Sequence, residues 1–326
     1  MTKKTKRNYK NKISFGETFT IVASVFLFAL ILKNATLVSS EAANALKICG
    51  TLLIPSLFPL TVASEIIAST GALEKITSFL RGSVAKILGI KKSAVAPYFL
   101  GVFGGYTASC KSAVTLYENG KISEEDCESV IAISNMPSLA FLTGFVGTEI
   151  LQNTRDGWIL WGITVFSTFI LGLFNRFWNK LGSALQISPL DFRNPNKRKK
   201  LSKIIVDAIS HSAQAMLIIC ACVVFFSILI KVLEFALISI EMPPEIRRIL
   251  LGALEITYGV RECRQIENEL TKRVLCAFFI GWSGLCVHFQ VISICERVNF
   301  SFKRYFILKF LQGLICALLS FIVFRF

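Results

Sequence analysis

The chain contains a series of long apolar stretches, and these constrain its fold more than any other feature. They recur from residue 18 to the last residue, and several approach the ~20 residues that an α-helix needs to cross the hydrocarbon core of a bilayer. Only 17% of residues are charged, and the mean hydropathy is +0.60. No large soluble domain fits between the stretches. The sequence therefore predicts an integral membrane protein, an all-α polytopic helical bundle.

The net charge of +15 is interpreted as a set of topology signals. Lysines and arginines gather in short segments beside the apolar stretches, without the interleaved aromatic residues that stack on bases, which argues against a nucleic-acid partner. The positive-inside rule places the basic N-terminus in the cytoplasm. The stretch at about 18–39 is interpreted as an uncleaved first span, and the basic loop at 179–204 is also predicted to be cytoplasmic.

The orientation of the spans that the positive-inside rule predicts requires an interrupted span in the first half of the chain. Two apolar pieces, 93–117 and 129–150, lie between spans predicted at about 44–71 and 157–177. If both pieces crossed fully, the most basic loop would lie outside, so one of them is predicted to be re-entrant, buried in protein or lining a wet cavity. The expected breaks fall at Gly101, Gly104, Gly105 and Pro137.

The second half repeats this pattern. A long span at about 205–240 precedes two short apolar pieces and a last span at 305–325, and the same 148-residue shift relates Gly104 to Gly252 and Asn135 to Ser283. The leading spans of the halves are predicted to run in opposite directions, so the halves form inverted repeats, each with a broken or re-entrant element, and a binding site is expected near the midplane. The predicted domains are 1–43 with the first span, 44–178 as the first repeat, 179–204 as the cytoplasmic loop, and 205–326 as the second repeat.

Several polar residues within apolar segments are candidate binding residues. An intramembrane carboxylate costs roughly 2.5 to 3.5 kcal/mol, so Glu255 is expected to face protein or water and to bind a substrate group, a proton or Na⁺. Lys111 either extends toward the headgroups or supplies a countercharge for an anionic substrate. Asn135 and Ser138, on either side of Pro137, either bind a ligand at a broken helix or mark a simple proline kink.

A second polar group follows the glycines of GWSGLCVHFQ and comprises Ser283, His288 and Gln290. A lone histidine is more often hydrogen-bonded structure than a ligand, and no second histidine or carboxylate lies near it at metal-site spacing. The chain has no nucleophile elbow and no phosphate loop. The sequence therefore predicts no enzyme, no metal and no cofactor, and it leaves the coupling ion, a proton or Na⁺, open.

The chain resembles the YlbJ family of sporulation membrane proteins, also called SpoVV, which carry a nucleoside-recognition or Gate-type domain. The matching segments, from about residue 45 to 296, are IPSLFPLTVASEII, LGVFGGYTASCKSAVTLYENGKISEEDCESVIAISNMPSLAFLTGFVG, LLGALEITYGV and FFIGWSGLCVHFQVISI. The family usually has a proline where Thr107 stands. Carried over residue by residue, the motifs fall on Gly104, Gly105, Tyr106, Lys111, Asn135, Pro137, Ser138, Glu255, Gly259, Ser283, Gly284, His288 and Gln290.

The resemblance implies a function in sporulation. It implies a protein of the outer forespore membrane that moves dipicolinic acid, a small anion, toward the forespore, with Gate-type segments distantly similar to those of concentrative nucleoside transporters. Half-helix N-termini and Lys111 would bind the two carboxylates of dipicolinic acid, and Tyr106 or Trp282 would stack on its aromatic ring.

Two alternatives and the oligomeric state stay open at this point. One alternative is a permease for nucleosides or another small metabolite, because the amide and hydroxyl residues at both breaks also suit a neutral ligand. The other is a non-transporting membrane assembly factor that recruits a partner or anionic lipid through its basic loop. The sequence does not decide whether the chain forms a homo-oligomer.

Overall fold

Helices account for the regular secondary structure. The computed structural model describes residues 15–70, 79–182 and 201–326, and these contain no strand. The α-helices are α1 (Phe15–Lys33), α2 (Ala35–Ile48), α3 (Ile54–Ser69), α4 (Arg81–Leu88), α5 (Val95–Gly104), α6 (Tyr106–Glu118), α7 (Glu124–Ser134), α8 (Thr154–Gly182), α9 (Leu201–Ser239), α10 (Pro244–Gly252), α11 (Ile256–Cys263), α12 (Glu269–Trp282), α13 (Gly284–Ile294) and α14 (Phe302–Arg325). The described ranges also contain two π-helices, Cys49–Leu53 and Phe141–Ile150.

The helices confirm an all-α polytopic membrane protein. Four helical stretches in the described part of the chain are long and apolar enough to cross a bilayer, and a bent pair raises the number to as many as five. The predicted spans at 157–177, 205–240 and 305–325 are confirmed as helices. The four stretches are Thr154–Phe177, Leu201–Ser239, Glu269–Ile294 and Phe302–Arg325.

The first predicted span, 18–39, is not one straight helix. The chain bends by 95° between Ser24–Lys33 and Ala35–Leu53. Asn34 lies at the bend, with φ −115° and ψ 33°, and its side-chain amide donates to the carbonyl of Leu30 at 2.9 Å. The same carbonyl also accepts the backbone N–H of Asn34 at 3.1 Å, and the helix after the bend extends through the π-helix to Ser69.

The piece 93–117 folds back on itself as a helical hairpin. Helices α5 and α6 meet at Gly105, whose φ of +88° is readily adopted only by glycine. The two ends of the hairpin lie together, because the hydroxyl of Ser93 donates to the carbonyl of Lys121 at 3.3 Å. Close to the tip, a Cβ atom on Gly101 would lie 3.1 Å from that of Ser109. The second piece, 129–150, continues instead as α7, a break at 135–138 and the π-helix.

Helices α10 and α11 form a second hairpin in the other half. A Cβ atom on Gly252 would lie 2.9 Å from the Cα atom of Gly259, so the two helices contact through these glycines. The break between α12 and α13 follows at Ser283. Each half therefore contains a hairpin followed by a broken helix.

Helices α3 and α9 run in opposite directions. Glu65 near the end of α3 contacts His211 near the start of α9, with 2.9 Å between the side chains. At the other end of the bundle, Glu41 of α2 lies in one cleft with Lys231 and Glu234 of α9. This antiparallel relation is the one that the inverted-repeat hypothesis requires.

A partly buried ion pair joins the two halves at one end. The carboxylate of Asp156, in the first turn of α8, accepts from Nε of Arg273 on α12 at 2.6 Å. Asp156 is 4% exposed and the side chain of Arg273 is 22% exposed, so this charge-assisted bond is partly shielded from water. On another face, Ser301 donates its backbone N–H to Glu128 at 3.2 Å.

Helices α12 and α14 approach each other closely at a pair of glycines. A Cβ atom on Gly281 would lie 2.7 Å from the carbonyl oxygen of Gln312 and 2.8 Å from the Cα atom of Gly313. Small residues at such crossings allow backbones to approach and pack in membranes. The crossing holds α14 against the second broken helix.

We predict that Gly281→Ala lowers the stability of the protein by about 1 to 3 kcal/mol, because the new methyl group overlaps the backbone of α14. Thermal unfolding of the purified protein in detergent measures the effect. The control is Gly162→Ala on α8, since no atom lies within 4 Å of a Cβ there. Equal melting temperatures for the two variants would contradict the close contact.

Candidate functional site

A central cavity lies where the two hairpins meet the two helix breaks. It comprises about 630 Å³ of space between atoms, part of it open to the surface. Helices of both halves contribute to it. The lining residues are Leu53, Leu57, Thr61, Gly104, Gly105, Tyr106, Thr107, Pro137, Ser138, Phe141, Met216, Ile219, Val223, Glu255, Ile256, Thr257, Ser283, Cys286, Val287 and Gln290.

The tip of the first hairpin contacts the first helix break. A Cβ atom on Gly105 would lie 3.1 Å from the backbone nitrogen and 3.2 Å from the Cβ atom of Ser138. Only glycine combines this close approach with a positive φ. Helix α6 starts directly after this tip, so its first residues, Tyr106 and Thr107, lie at the cavity wall.

Residues 135–138 interrupt the first broken helix. Pro137 has no backbone N–H and cannot continue the hydrogen-bond ladder of α7. After the break, the hydroxyl of Ser138 accepts a bond from the backbone N–H of Phe141 at 3.2 Å. This bond satisfies one of the N–H groups left unpaired where a helix begins. Pro137, Ser138 and Phe141 all line the cavity.

Glu255 begins helix α11 at the tip of the second hairpin. Its carboxylate accepts from the backbone N–H of Thr257 at 2.8 Å and from that of Tyr258 at 2.7 Å, so it serves as the N-cap. The residue is 2% exposed and lines the cavity. An ionised carboxylate has about four lone-pair sites, and two of them are used by these bonds. The remaining acceptor capacity can be directed toward the cavity.

The second hairpin is bound to the second broken helix through backbone atoms. The N–H groups of Leu285 and Cys286 donate to the carbonyls of Ala253 (3.1 Å) and Leu254 (2.9 Å). The chain enters α13 through two residues of positive φ, Ser283 (73°) and Gly284 (81°).

Gly284 is required at this junction by the closeness of the hairpin. A Cβ atom on it would lie 2.9 Å from the backbone nitrogen of Ile256. Next to it, the indole N–H of Trp282 donates to the carbonyl of Ala253 at 2.8 Å, and its ring packs on His288. Trp282 therefore belongs to this junction and does not line the cavity.

A hydrogen bond between side chains connects the two halves across the cavity. The hydroxyl of Tyr106, from the first hairpin, donates to Oε1 of Gln290 on α13 at 2.8 Å. The amide nitrogen of Gln290 contacts the sulfur of Cys286 at 3.4 Å. Both Tyr106 and Gln290 line the cavity, so a ligand there has access to a hydroxyl and an amide that already face each other.

The opposite wall of the cavity is mainly apolar. It is formed by the π-helix Cys49–Leu53, helix α3 and helix α9. π-Helical turns are frequent at functional sites, and both π-helices in the described part of the chain contribute a residue to the cavity. An apolar wall facing a few convergent polar groups is typical of small-molecule sites. The residues of this wall are Leu53, Leu57, Thr61, Met216, Ile219 and Val223.

The structure brings together eight of the thirteen residues that the sequence singled out. They line the central cavity, and whether they bind a ligand stays a prediction. The eight are Gly104, Gly105, Tyr106, Pro137, Ser138, Glu255, Ser283 and Gln290.

The other five lie elsewhere. Lys111 is half-buried in a separate polar cleft that also contains Glu65 and His211, so it is not placed to neutralise an anion in the cavity. Gly259 and Gly284 serve close backbone contacts. Asn135 and His288 are fully buried and bind the hydroxyl of Tyr305, Asn135 through its side-chain amide and His288 through Nδ1 at 2.9 Å.

The sequence interpretation did not identify one buried lysine. Lys309 on α14 is 0% exposed, and its ammonium donates to the backbone carbonyl of Asn135 and, at 2.5 Å, to Oε1 of Gln312. Gln312 in turn donates to Ser167 on α8 at 3.1 Å. The signal was present in the sequence, because a lysine inside the span 305–325 is as costly in a membrane as Glu255.

The described residues show no cluster of histidine, cysteine, aspartate or glutamate that could hold a metal. The basic loop predicted at 179–204 lies mostly outside the described residues, which end at 182 and resume at 201.

Comparisons with known proteins agree with a membrane helical bundle. No protein-family model matches the chain. The sporulation integral membrane protein YlbJ of Bacillus subtilis (strain 168) is 23% identical over 330 residues, which cover 91% of this chain and 80% of that protein. The structure of CNTnw in an inward-facing substrate-bound state superimposes with a TM-score of 0.57 at 12% identity, over 95% of this chain and 85% of that chain. The second likeness shows a shared fold.

We predict that Glu255→Ala lowers the stability of the protein by about 1 to 3 kcal/mol, because two buried N–H groups of α11 lose their acceptor. Thermal unfolding in detergent tests this. Glu267→Ala is the control, since Glu267 is exposed in the segment after α11. An unchanged melting temperature for Glu255→Ala would mean that the capping bonds contribute no net stability.

Proposed function

We propose that the chain is a membrane transporter of a small organic solute, which binds in the central cavity. The observation that carries the proposal is the meeting of two hairpin tips and two helix breaks around one cavity. Backbone breaks at membrane depth are tolerated only when buried in protein or lining a cavity, and transporters with inverted repeats bind substrate where discontinuous helices meet. The fold shared with CNTnw, a protein solved in a substrate-bound state, supports the same interpretation.

The lining chemistry favours a neutral, ring-containing solute with both hydrogen-bond donors and acceptors, such as a nucleoside. Glu255 is the one charged side chain among the described lining residues, and its negative charge repels an anion. Its carboxylate and the amide of Gln290 suit donor and acceptor groups of a ligand. The ring of Tyr106 offers a flat surface for a base.

Dipicolinic acid is the second candidate, and two observations favour it. The first turn of α6 begins at the cavity wall, and the backbone N–H groups of a helix N-terminus attract carboxylates. The curated relative is named for sporulation, and the resemblance described above implies a dipicolinic acid pathway across the outer forespore membrane. If dipicolinic acid is the substrate, the charge of Glu255 must be neutralised before the dipicolinate dianion binds.

We predict that Thr107→Trp reduces solute uptake by reconstituted proteoliposomes about tenfold or more, because the indole fills the cavity beside the first hairpin tip. Thr115→Trp on the same helix is the control, since Thr115 is exposed outside the cavity. Radiolabelled uridine, adenosine and dipicolinic acid are tested in parallel. Equal uptake by the two variants would place the transport path elsewhere.

We predict that Glu255→Gln separates the two substrates. Loss of the carboxylate removes a charged acceptor, so nucleoside uptake falls by about tenfold or more. If dipicolinic acid is the substrate, the same change removes a repulsive charge, and uptake of the dianion is maintained or rises. Competition between the unlabelled compounds gives an independent ranking. A separate measurement uses sporulating cells that lack this protein. Accumulation of dipicolinic acid in the mother cell, with little in the forespore, would favour the second candidate.

A further inference from the structure

The ammonium of Lys309 lies at the end of the first broken helix. It donates to the carbonyl of Asn135, the residue that follows the last turn of α7. Carbonyls at the end of a helix have lost their intrahelical partners and carry the negative end of the helix dipole. A positive group at this point is therefore electrostatically favoured.

The charge of Lys309 has no acidic partner. Among the described residues no carboxylate lies within ion-pair distance of it, and its side chain is fully buried. Its bonds are to a backbone carbonyl and to the amide oxygen of Gln312, both neutral oxygen acceptors. Neutral oxygens at the end of a broken helix are the groups with which transporters coordinate a coupling cation such as Na⁺.

The surrounding residues hold these acceptors in place. The side-chain amide of Asn135 donates to the hydroxyl of Tyr305, one turn before Lys309 on α14. Gln312 is oriented by its bond to Ser167. Oδ1 of Asn135 is buried without a hydrogen-bond partner, so a further oxygen acceptor lies close to this end of the helix.

We propose that the ammonium of Lys309 is a resident cation that takes the place of a coupling Na⁺ at the first helix break, so that substrate binding and transport do not require Na⁺. This inference rests on the proposed transport function. Among the described residues, no lysine hydrogen-bonds the second break. There the backbone N–H of Ser283 donates to the carbonyl of Phe279 at 2.8 Å, and its hydroxyl donates to that of Ile280 at 3.3 Å.

Thermal unfolding with exchanged cations tests the inference without a substrate. Replacing choline chloride by sodium chloride at equal ionic strength is expected to leave the melting temperature of the wild-type protein unchanged. In Lys309→Ser the vacated space exposes the oxygens of Asn135 and Gln312, so Na⁺ is expected to raise the melting temperature while choline does not. Lys303→Ser, an exposed position on the same helix, is the control and is expected to show no Na⁺ response.

Three results would overturn the inference. The first is a Na⁺-dependent rise in the melting temperature of the wild-type protein. The second is a folded Lys309→Ser variant that shows no response to Na⁺. The third is wild-type uptake that falls about tenfold or more when choline replaces Na⁺ inside and outside proteoliposomes. If Lys309→Ser does not fold, the two wild-type measurements still decide.

The same design separates failure of the inference from failure of the proposed function. A wild-type protein that takes up none of the tested solutes contradicts the transport proposal, whereas the melting experiment still reports whether Lys309 occupies a cation site. Uptake of a solute that occurs only with Na⁺ would support the transport proposal and contradict the proposal that Lys309 replaces Na⁺. Lys309→Met adds a check, because its apolar side chain fills the space, and it is expected to lose activity without gaining a Na⁺ response.

Discussion

The structure depends on the satisfaction of backbone groups at helix ends that lie inside the protein. A helix broken at membrane depth leaves N–H and carbonyl groups unpaired, and lipid supplies no partner for them. In this chain the breaks receive their partners either from capping side chains close in sequence or from a neighbouring element. Glu255 binds the N–H groups of α11, Ser138 binds that of Phe141, and the tip of the second hairpin accepts from Leu285 and Cys286.

Two buried charges fit the polarity of the helix ends on which they act. The carboxylate of Glu255 caps the N-terminus of α11, and the ammonium of Lys309 binds a carbonyl after the C-terminus of α7. The helix dipole contributes up to ~2 kcal/mol in partly buried sites, less than the roughly 2.5 to 3.5 kcal/mol that an intramembrane charge costs even on the mild insertion scale. Hydrogen bonds at each charge add to the interaction with the dipole.

The sequence predicts the spans and the breaks well, because both are local signals. Hydropathy locates the long helices, and Gly105, Pro137 and Ser283 mark the interruptions within a few residues. The position of a side chain in the fold depends on tertiary contacts, and the sequence predicts it less well. Lys111 and Lys309 are both lysines in apolar segments, yet one lies in a cleft at the end of the bundle and the other in its centre. The bend at Asn34 was not predicted from the apolar pattern.

The two walls of the cavity differ in the kind of contact that holds them, and this difference affects the cost of moving each wall. Moving the second hairpin away from its broken helix breaks two backbone hydrogen bonds and leaves buried groups unpaired, at about 1 to 3 kcal/mol each. The wall formed by α3 and α9 meets the cavity through side chains such as Leu57, Ile219 and Val223. Such contacts are not directional, so a shift along this seam exchanges one apolar contact for another. A shift along this seam would therefore leave the two hairpin junctions intact, whereas separating the second hairpin from its broken helix would break their hydrogen bonds.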